Sequence, residues 1–243
     1  MQLTIINPNT TRAMTEMIGS CARGVAAPGT TISAVNPTMG PASIESHYDE
    51  ALAVPGLLQE IAEGERSGAQ GYVIACFGDP GLDAARELAG GPVVGIAEAA
   101  MHAATLLGRS FSIVTSLSRT VGRAQDLVRH YGFAERCVGI YACDIPVLEL
   151  DDPSSGAAQK IIDLCRRTVA QDGADSIVLG CAGMADLCGY ISAQVGVPVI
   201  DGVASAVKLV ESLVALGYKT STRDEFAMPL PKEYRGELAS FSL

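Results

Sequence analysis

Only three of the 243 residues are histidine, His47, His102 and His130, and they lie far apart in the chain. No two cysteines stand in a CxxC spacing. These absences leave no zinc-ligand pattern and no suggestion of a Ser-His-Asp triad. Positive charge is scarce as well: 17 Lys and Arg stand against 27 Asp and Glu, a formal charge of −10, with a pI near 4.7. That balance argues against nucleic acid, whose phosphates need clustered basic side chains, and more weakly against a highly anionic substrate. MQLTIINPNTT begins on a strand-like run without the basic and long apolar regions of a secretory signal. The apolar stretch from Val93 to Leu107 carries Glu98 and His102 and is too short to span a bilayer. The expectation is a soluble, cytoplasmic protein with no membrane partner.

What is present is a globular composition, 48% hydrophobic and 18% charged, with 26 Gly and 12 Pro spread along the chain and no low-complexity segment. A chain of this length buries roughly 70–75% of its unfolded surface, enough for one large α/β domain or two small ones. Its seven cysteines, Cys21, Cys76, Cys137, Cys143, Cys165, Cys181 and Cys188, are an odd count in a chain that needs no staples, and they read as free thiols.

Hydrophobic periodicity alternates strand and helix from the start. LTIIN is a strand, Thr11 to Val25 a helix, TTISAVN a strand, Ala51 to Ser67 a helix, GYVIACF a strand, Asp83 to Ala89 a short helix and PVVGI a strand. The order then begins again: FSIVTS, a helix near Thr120 to Tyr131, a weak strand around Val138 to Cys143, a helix over Ala157 to Gln171, SIVLG, a helix, and PVID. At an offset of 105, GAQGYVIACFG (68–78) falls on GADSIVLGCAG (173–183), and with one residue inserted GPVVGIAEAA (91–100) meets GVPVIDGVASA (196–206). The expected fold is α/β: two pseudo-symmetric, doubly wound, flavodoxin-like units with four-stranded parallel sheets and an active site between them. The expected units are 1–97 with 206–243, and 98–205.

Ligands of such sheets bind beyond the carboxyl ends of the strands. Cys76 and Cys181 stand at equivalent strand ends, each with a glycine two residues on, so each unit presents its cysteine at its ligand edge. Either both are small core residues, or they approach one cleft from opposite sides. Equivalent placement in two copies favours the cleft for this pair; the other five keep the packing reading. Two opposed thiols, one ionised, can take a proton from one face of a trigonal carbon and return one to the other, inverting a stereocentre. A free thiol titrates near 8.5, and polarised donors lower it toward neutrality, where a general base is most useful. The main-chain N–H groups of Phe77, Gly78, Ala182 and Gly183 are candidates for that polarisation and for holding an enolate oxygen. Ordinary turn glycines are the alternative for Gly78 and Gly183.

INPNT (6–10), GPASIE (40–45), VIACFGDPGLDAARE (73–87), VVGIAEAAMH (93–102), IVLGCAGM (177–184), PVIDGV (198–203) and ESLVALG (211–217) together resemble the hydantoin and allantoin racemases of the aspartate/glutamate racemase superfamily. The resemblance implies racemisation by two cysteines, matching Cys76 and Cys181, with no cofactor and no metal, on a small-molecule hydantoin or allantoin substrate in a homo-oligomer. Amino-acid racemases of the superfamily follow their cysteines with polar residues. Here Phe77-Gly78 and Ala182-Gly183 follow, which suits a neutral ring and counts against free aspartate or glutamate. Asn9, Ser43 and Thr115 lie at the expected ligand edge as ring-positioning candidates, each with helix or turn capping as the alternative. A decarboxylase or cis–trans isomerase of the same superfamily, and a non-catalytic cleft-binding or thiol-sensing protein, are the rival readings. DEFAMPLPKEYRGELASFSL, at the end of the chain, breaks the repeat; it packs on a neighbouring subunit or frays.

Overall fold

The computed structural model describes residues 1–150 and 156–242. Its first half runs β1 (Gln2–Ile6), α1 (Arg12–Val25), β2 (Thr31–Val35), α2 (His47–Arg66), β3 (Gly71–Ile74), α3 (Leu82–Leu88), β4 (Val93–Gly95) and α4 (Ile96–Leu107). The second runs β5 (Phe111–Thr115), α5 (Val121–His130), β6 (Cys137–Ala142), α6 (Ala157–Asp172), β7 (Ser176–Gly180), α7 (Cys188–Val195), β8 (Val199–Ile200) and α8 (Gly202–Ala215). Each half holds a four-stranded sheet, ordered β2-β1-β3-β4 and β6-β5-β7-β8, and every strand pair is parallel. Parallel strands covered on both faces need apolar side chains on both, which is why GYVI and SIVLG are buried along their whole length.

The strand order places a switch point between β1 and β3, and again between β5 and β7. The loops after these strands leave toward opposite faces and open a crevice at their carboxyl ends. Cys76 follows β3 and Cys181 follows β7, so the repeat sets both thiols at such crevices.

Helices that close each half do not stay with their own sheet. Ala97, Ala100, Met101 and Ala104 of α4 pack into the core under β5 and β7, with Phe111, Ile113 and Val178. Val203, Ala206, Val207 and Val210 of α8 pack into the core under β1 and β3, with Leu3, Ile5 and Val73.

Two helix starts depend on local structure that periodicity does not show. The α2 helix begins at His47 rather than Ala51, because Ser46 caps it: its hydroxyl accepts from the Asp49 N–H at 3.2 Å and donates to the Asp49 carboxylate at 2.7 Å. The helix also carries Pro55 in its interior, which removes one helix donor. The helix after β7 is delayed by a 3-10 segment, Ala182–Leu187, so Cys188 opens α7, where it is buried as a packing residue. The tail beyond α8 forms two short 3-10 turns, Asp224–Phe226 and Gly236–Phe241, while Leu243 lies outside the described residues. Among the described residues, no helix is long and apolar enough to cross a membrane.

The two exchanged helices meet at their first residues. A Cβ on Gly202 would stand 2.6 Å from the Ile96 carbonyl oxygen and 3.0 Å from the Ile96 Cβ, and main chain yields little. Gly202→Ala is therefore expected to lower stability by about 1–3 kcal/mol, the cost of overpacking, read as an earlier urea midpoint. Gly24→Ala, where a Cβ meets nothing within 4 Å, is expected not to lower it.

Candidate active site

The turn after β3 carries the first thiol. Cys76, Phe77, Gly78 and Asp79 form a tight turn closed by the Asp79 N–H on the Cys76 carbonyl at 3.0 Å. The Phe77 ring points away from the sheet that carries it and is buried, 6% exposed, in the core of the second half. Across the cleft, Ala182 follows Cys181 and is buried, 5% exposed, in the core of the first half. Each cysteine is thus followed by a side chain anchored under the opposite sheet. Both thiols line one cavity of about 180 Å³, a volume for a small metabolite rather than a drug-sized molecule. Cys76 and Cys181 are each partly exposed.

Burial pushes the Cys76 thiol up to about 12; the Gly78 N–H bonded to its sulfur works the other way, and the nearby Cys181, Glu50 and Asp79 add to the rise. The sequence-based expectation of a thiol near neutrality is corrected here. Desolvation outweighs the single donor, because a thiolate loses more hydration in the cleft than one N–H restores. The Gly78 N–H is spent on sulfur, so it polarises the thiol and is not an open oxyanion donor.

The remaining expected positions divide. Asn9 lines the cavity. Its carbonyl oxygen accepts from Asn7 Nδ2 at 2.8 Å and from the Thr11 N–H at 2.9 Å, a turn that leads into α1. Its amide donor meets the weak acceptor Met14 Sδ at 3.2 Å. Thr115 also lines the cavity, with its hydroxyl on the Gly180 carbonyl at 3.2 Å, where it braces the strand that ends before Cys181. Phe77, Gly78 and Ala182 line it too, whereas Ser43 and Gly183 do not. A Cβ on Gly183 would meet only ordinary contacts, Leu150 at 3.5 Å and Cys181 Sγ at 3.6 Å, so packing does not require glycine there. A Cβ on Gly78 would run into the Glu50 carboxylate.

Polar residues that periodicity did not single out complete the wall. Arg123 of α5 donates through Nη2 to the Gly78 carbonyl at 2.6 Å and through Nε to Glu50 Oε1 at 3.2 Å, linking the second half to the Cys76 turn and to α2. Burial raises the Glu50 carboxyl, while Arg123 and His47 draw it back down. Glu45 accepts from the Val147 N–H at 2.9 Å, a second tie between the halves at the cavity wall. Signals for these residues existed: Glu45 ends the GPASIE motif, and Arg119 and Arg123 sit four apart just beyond a strand end. Among the described residues, no cluster of three or more His, Cys, Asp or Glu is arranged to hold a metal ion.

Residues 3–210 match the family described as Asp/Glu/Hydantoin racemase. The hydantoin racemase of Pseudomonas sp. (strain NS671) is 47% identical over 242 residues, 99% of this chain and 97% of that protein. Among solved structures, the allantoin racemase from Klebsiella pneumoniae superposes with a TM-score of 0.97 at 54% identity, covering 99% of this chain and 98% of that one. The allantoin racemase from Pseudomonas fluorescens does so with a TM-score of 0.93 at 37% identity, covering 97% and 100%.

Because only the thiolate is strongly nucleophilic, the raised Cys76 predicts slow alkylation of the ligand-free protein. The Cys76 rate is expected to climb about tenfold per pH unit between pH 8 and 10, followed by peptide mass spectrometry. A plateau reached by pH 8 contradicts the shift.

Proposed function

The chain belongs to the Asp/Glu/hydantoin racemase family and is an isomerase, and we propose that it interconverts the enantiomers of 5-monosubstituted hydantoins, allantoin included, by two-base proton transfer between Cys76 and Cys181. The observation that carries this reading is the opening of both thiols onto one small cavity. The high similarity to hydantoin and allantoin racemases over almost the whole chain supports the substrate class.

In the proposed reaction, the thiolate of one cysteine takes the C5 proton from the face it meets. The C–H electron pair moves into the ring and its carbonyl, giving an enolate, and the opposite thiol then places its own proton on the other face of C5. The first cysteine ends as thiol and the second as thiolate, so the site that releases one enantiomer is set to accept the other. No net proton is consumed. Charge repulsion across the cavity keeps the pair singly ionised, since Cys181 raises the Cys76 thiol. The main-chain N–H groups of Phe77 and Ala182, which line the cavity, are proposed donors to the enolate oxygen, a contribution of roughly 3 kcal/mol each. Asn9 is proposed to orient the ring through its amide. Phe77 and Ala182, buried as they are, hold the cysteine turns and wall the cavity.

The test uses a single hydantoin enantiomer in D₂O, with optical rotation and C5 deuterium followed together against a no-enzyme control. Racemisation and deuterium gain above the control are expected. Cys76→Ser and Cys181→Ser are each expected to abolish racemisation while exchanging deuterium into opposite enantiomers. Neither signal exceeding the control across several C5 substituents would falsify the reading, and a serine variant with undiminished racemisation removes that cysteine as a base.

A further inference from the structure

The carboxylate of Asp79 does something the repeat does not ask of it. Asp79 is buried and adopts a φ of 44°, a left-handed conformation rare outside glycine. Its Oδ1 accepts from the Ala97 N–H at 3.1 Å, and its Oδ2 from the Glu98 N–H at 3.0 Å and the Tyr131 hydroxyl at 2.6 Å. The first two are orphan donors at the start of α4. Where the sequence repeats, Gly95 aligns with Asp201. Asp201 caps α8 from its own position, accepting from Val203 N at 2.8 Å and Ala204 N at 3.0 Å. Gly95 has no side chain to cap α4, and a Cβ there would occupy the space of the Asp79 carboxyl. One copy caps its helix locally; the other hands the cap to the turn that bears Cys76.

The donors sit where the two halves meet: the α4 start follows β4 of the first sheet and packs in its core through Ile96 and Ala99, the α4 body packs under the second sheet, and Tyr131 packs against clusters of both halves. Asp79 also closes the turn through its own N–H on the Cys76 carbonyl. The carboxylate therefore ties the Cys76 turn to the α4 start beside β4 and, through Tyr131, to the second half, alongside the Phe77 ring. In the Cys181 turn Met184 stands where the repeat has Asp79, and Asp201 caps the α8 start.

We propose that Asp79 is the positioning residue for Cys76: its carboxylate, bound to the α4 N-terminus and Tyr131, aims that thiol at C5, so that the Cys76 proton transfer depends on it more than the Cys181 transfer does. This inference rests on the two-cysteine reading above. Asp79→Asn keeps the shape and loses the charge, and Tyr131→Phe removes one bond while sparing the helix cap.

The test measures racemisation of both enantiomers with C5 protium and C5 deuterium. Asp79→Asn is expected to slow racemisation about 10- to 100-fold, the scale of a misplaced reacting group, and Tyr131→Phe less. A merely structural loss leaves the isotope effects of the two directions as they are in the unmodified protein. Slowing of the Cys76 step alone makes the deuterium effect large for the enantiomer that gives its proton to Cys76 and brings it toward unity for the other. That enantiomer is identified as the one that Cys181→Ser still exchanges in D₂O. An unchanged rate in both variants, or a loss with unchanged isotope effects in the two directions, overturns the role of Asp79 while leaving the two-cysteine reading intact. A wild-type protein that neither racemises nor exchanges overturns both.

Discussion

The arrangement of the cleft depends on one packing exchange: the side chain after each candidate cysteine is buried under the sheet of the other half. Phe77 lies in the core beneath β5 and β7, and Ala182 in the core beneath β1 and β3. The α4 and α8 helices make the same exchange on a larger scale. Neither half can move away from the other without exposing part of a core. A cavity held this way has walls fixed by hydrophobic burial, about 25 cal/mol for each Å² withdrawn from water. Its polar ties, Arg123 to Gly78 and Glu45 to Val147, refine a geometry that packing has already set.

Electrostatics follow from that enclosure. The cleft strips water from Cys76, which raises the thiol far more than the one N–H on its sulfur lowers it. Glu50 and Asp79 are raised by the same desolvation, Asp79 to about 7 even though three hydrogen bonds favour its charged form. A proton is accordingly held tightly near the first turn in the ligand-free protein. Under the two-base proposal, such a resting state has Cys76 as the acid.

Much of the fold was legible in the sequence because parallel, doubly covered strands leave uninterrupted apolar runs such as YVIA and SIVLG, and because the chain states its plan twice. The strand-end position of Cys76 and Cys181 followed from the same repeat. What escaped was whatever the repeat does not share. The early start of α2 depends on a local Ser46–Asp49 cap, and the late start of α7 on a 3-10 turn after Cys181. The partners of Phe77 and Ala182 lie across the cleft, in residues far away in sequence, so two positions read as substrate contacts proved to be packing anchors as well. Ser43, placed at the ligand edge by its GPAS turn, and Gly183, placed there by the repeat, do not line the cavity. The Asp79 cap breaks the symmetry of the copies, and a pattern built on their likeness does not reveal it.

Two-base transfer requires one flat ring carbon to fit between the two sulfur atoms. A crystal structure of the protein with a planar five-membered-ring mimic of the enolate measures this directly. The account predicts each Sγ at about 3–3.5 Å from the ring carbon, the reach of a near-attack geometry, with the sulfurs on opposite faces. Both sulfurs on one face, or either one turned out of hydrogen-bonding reach, would contradict it.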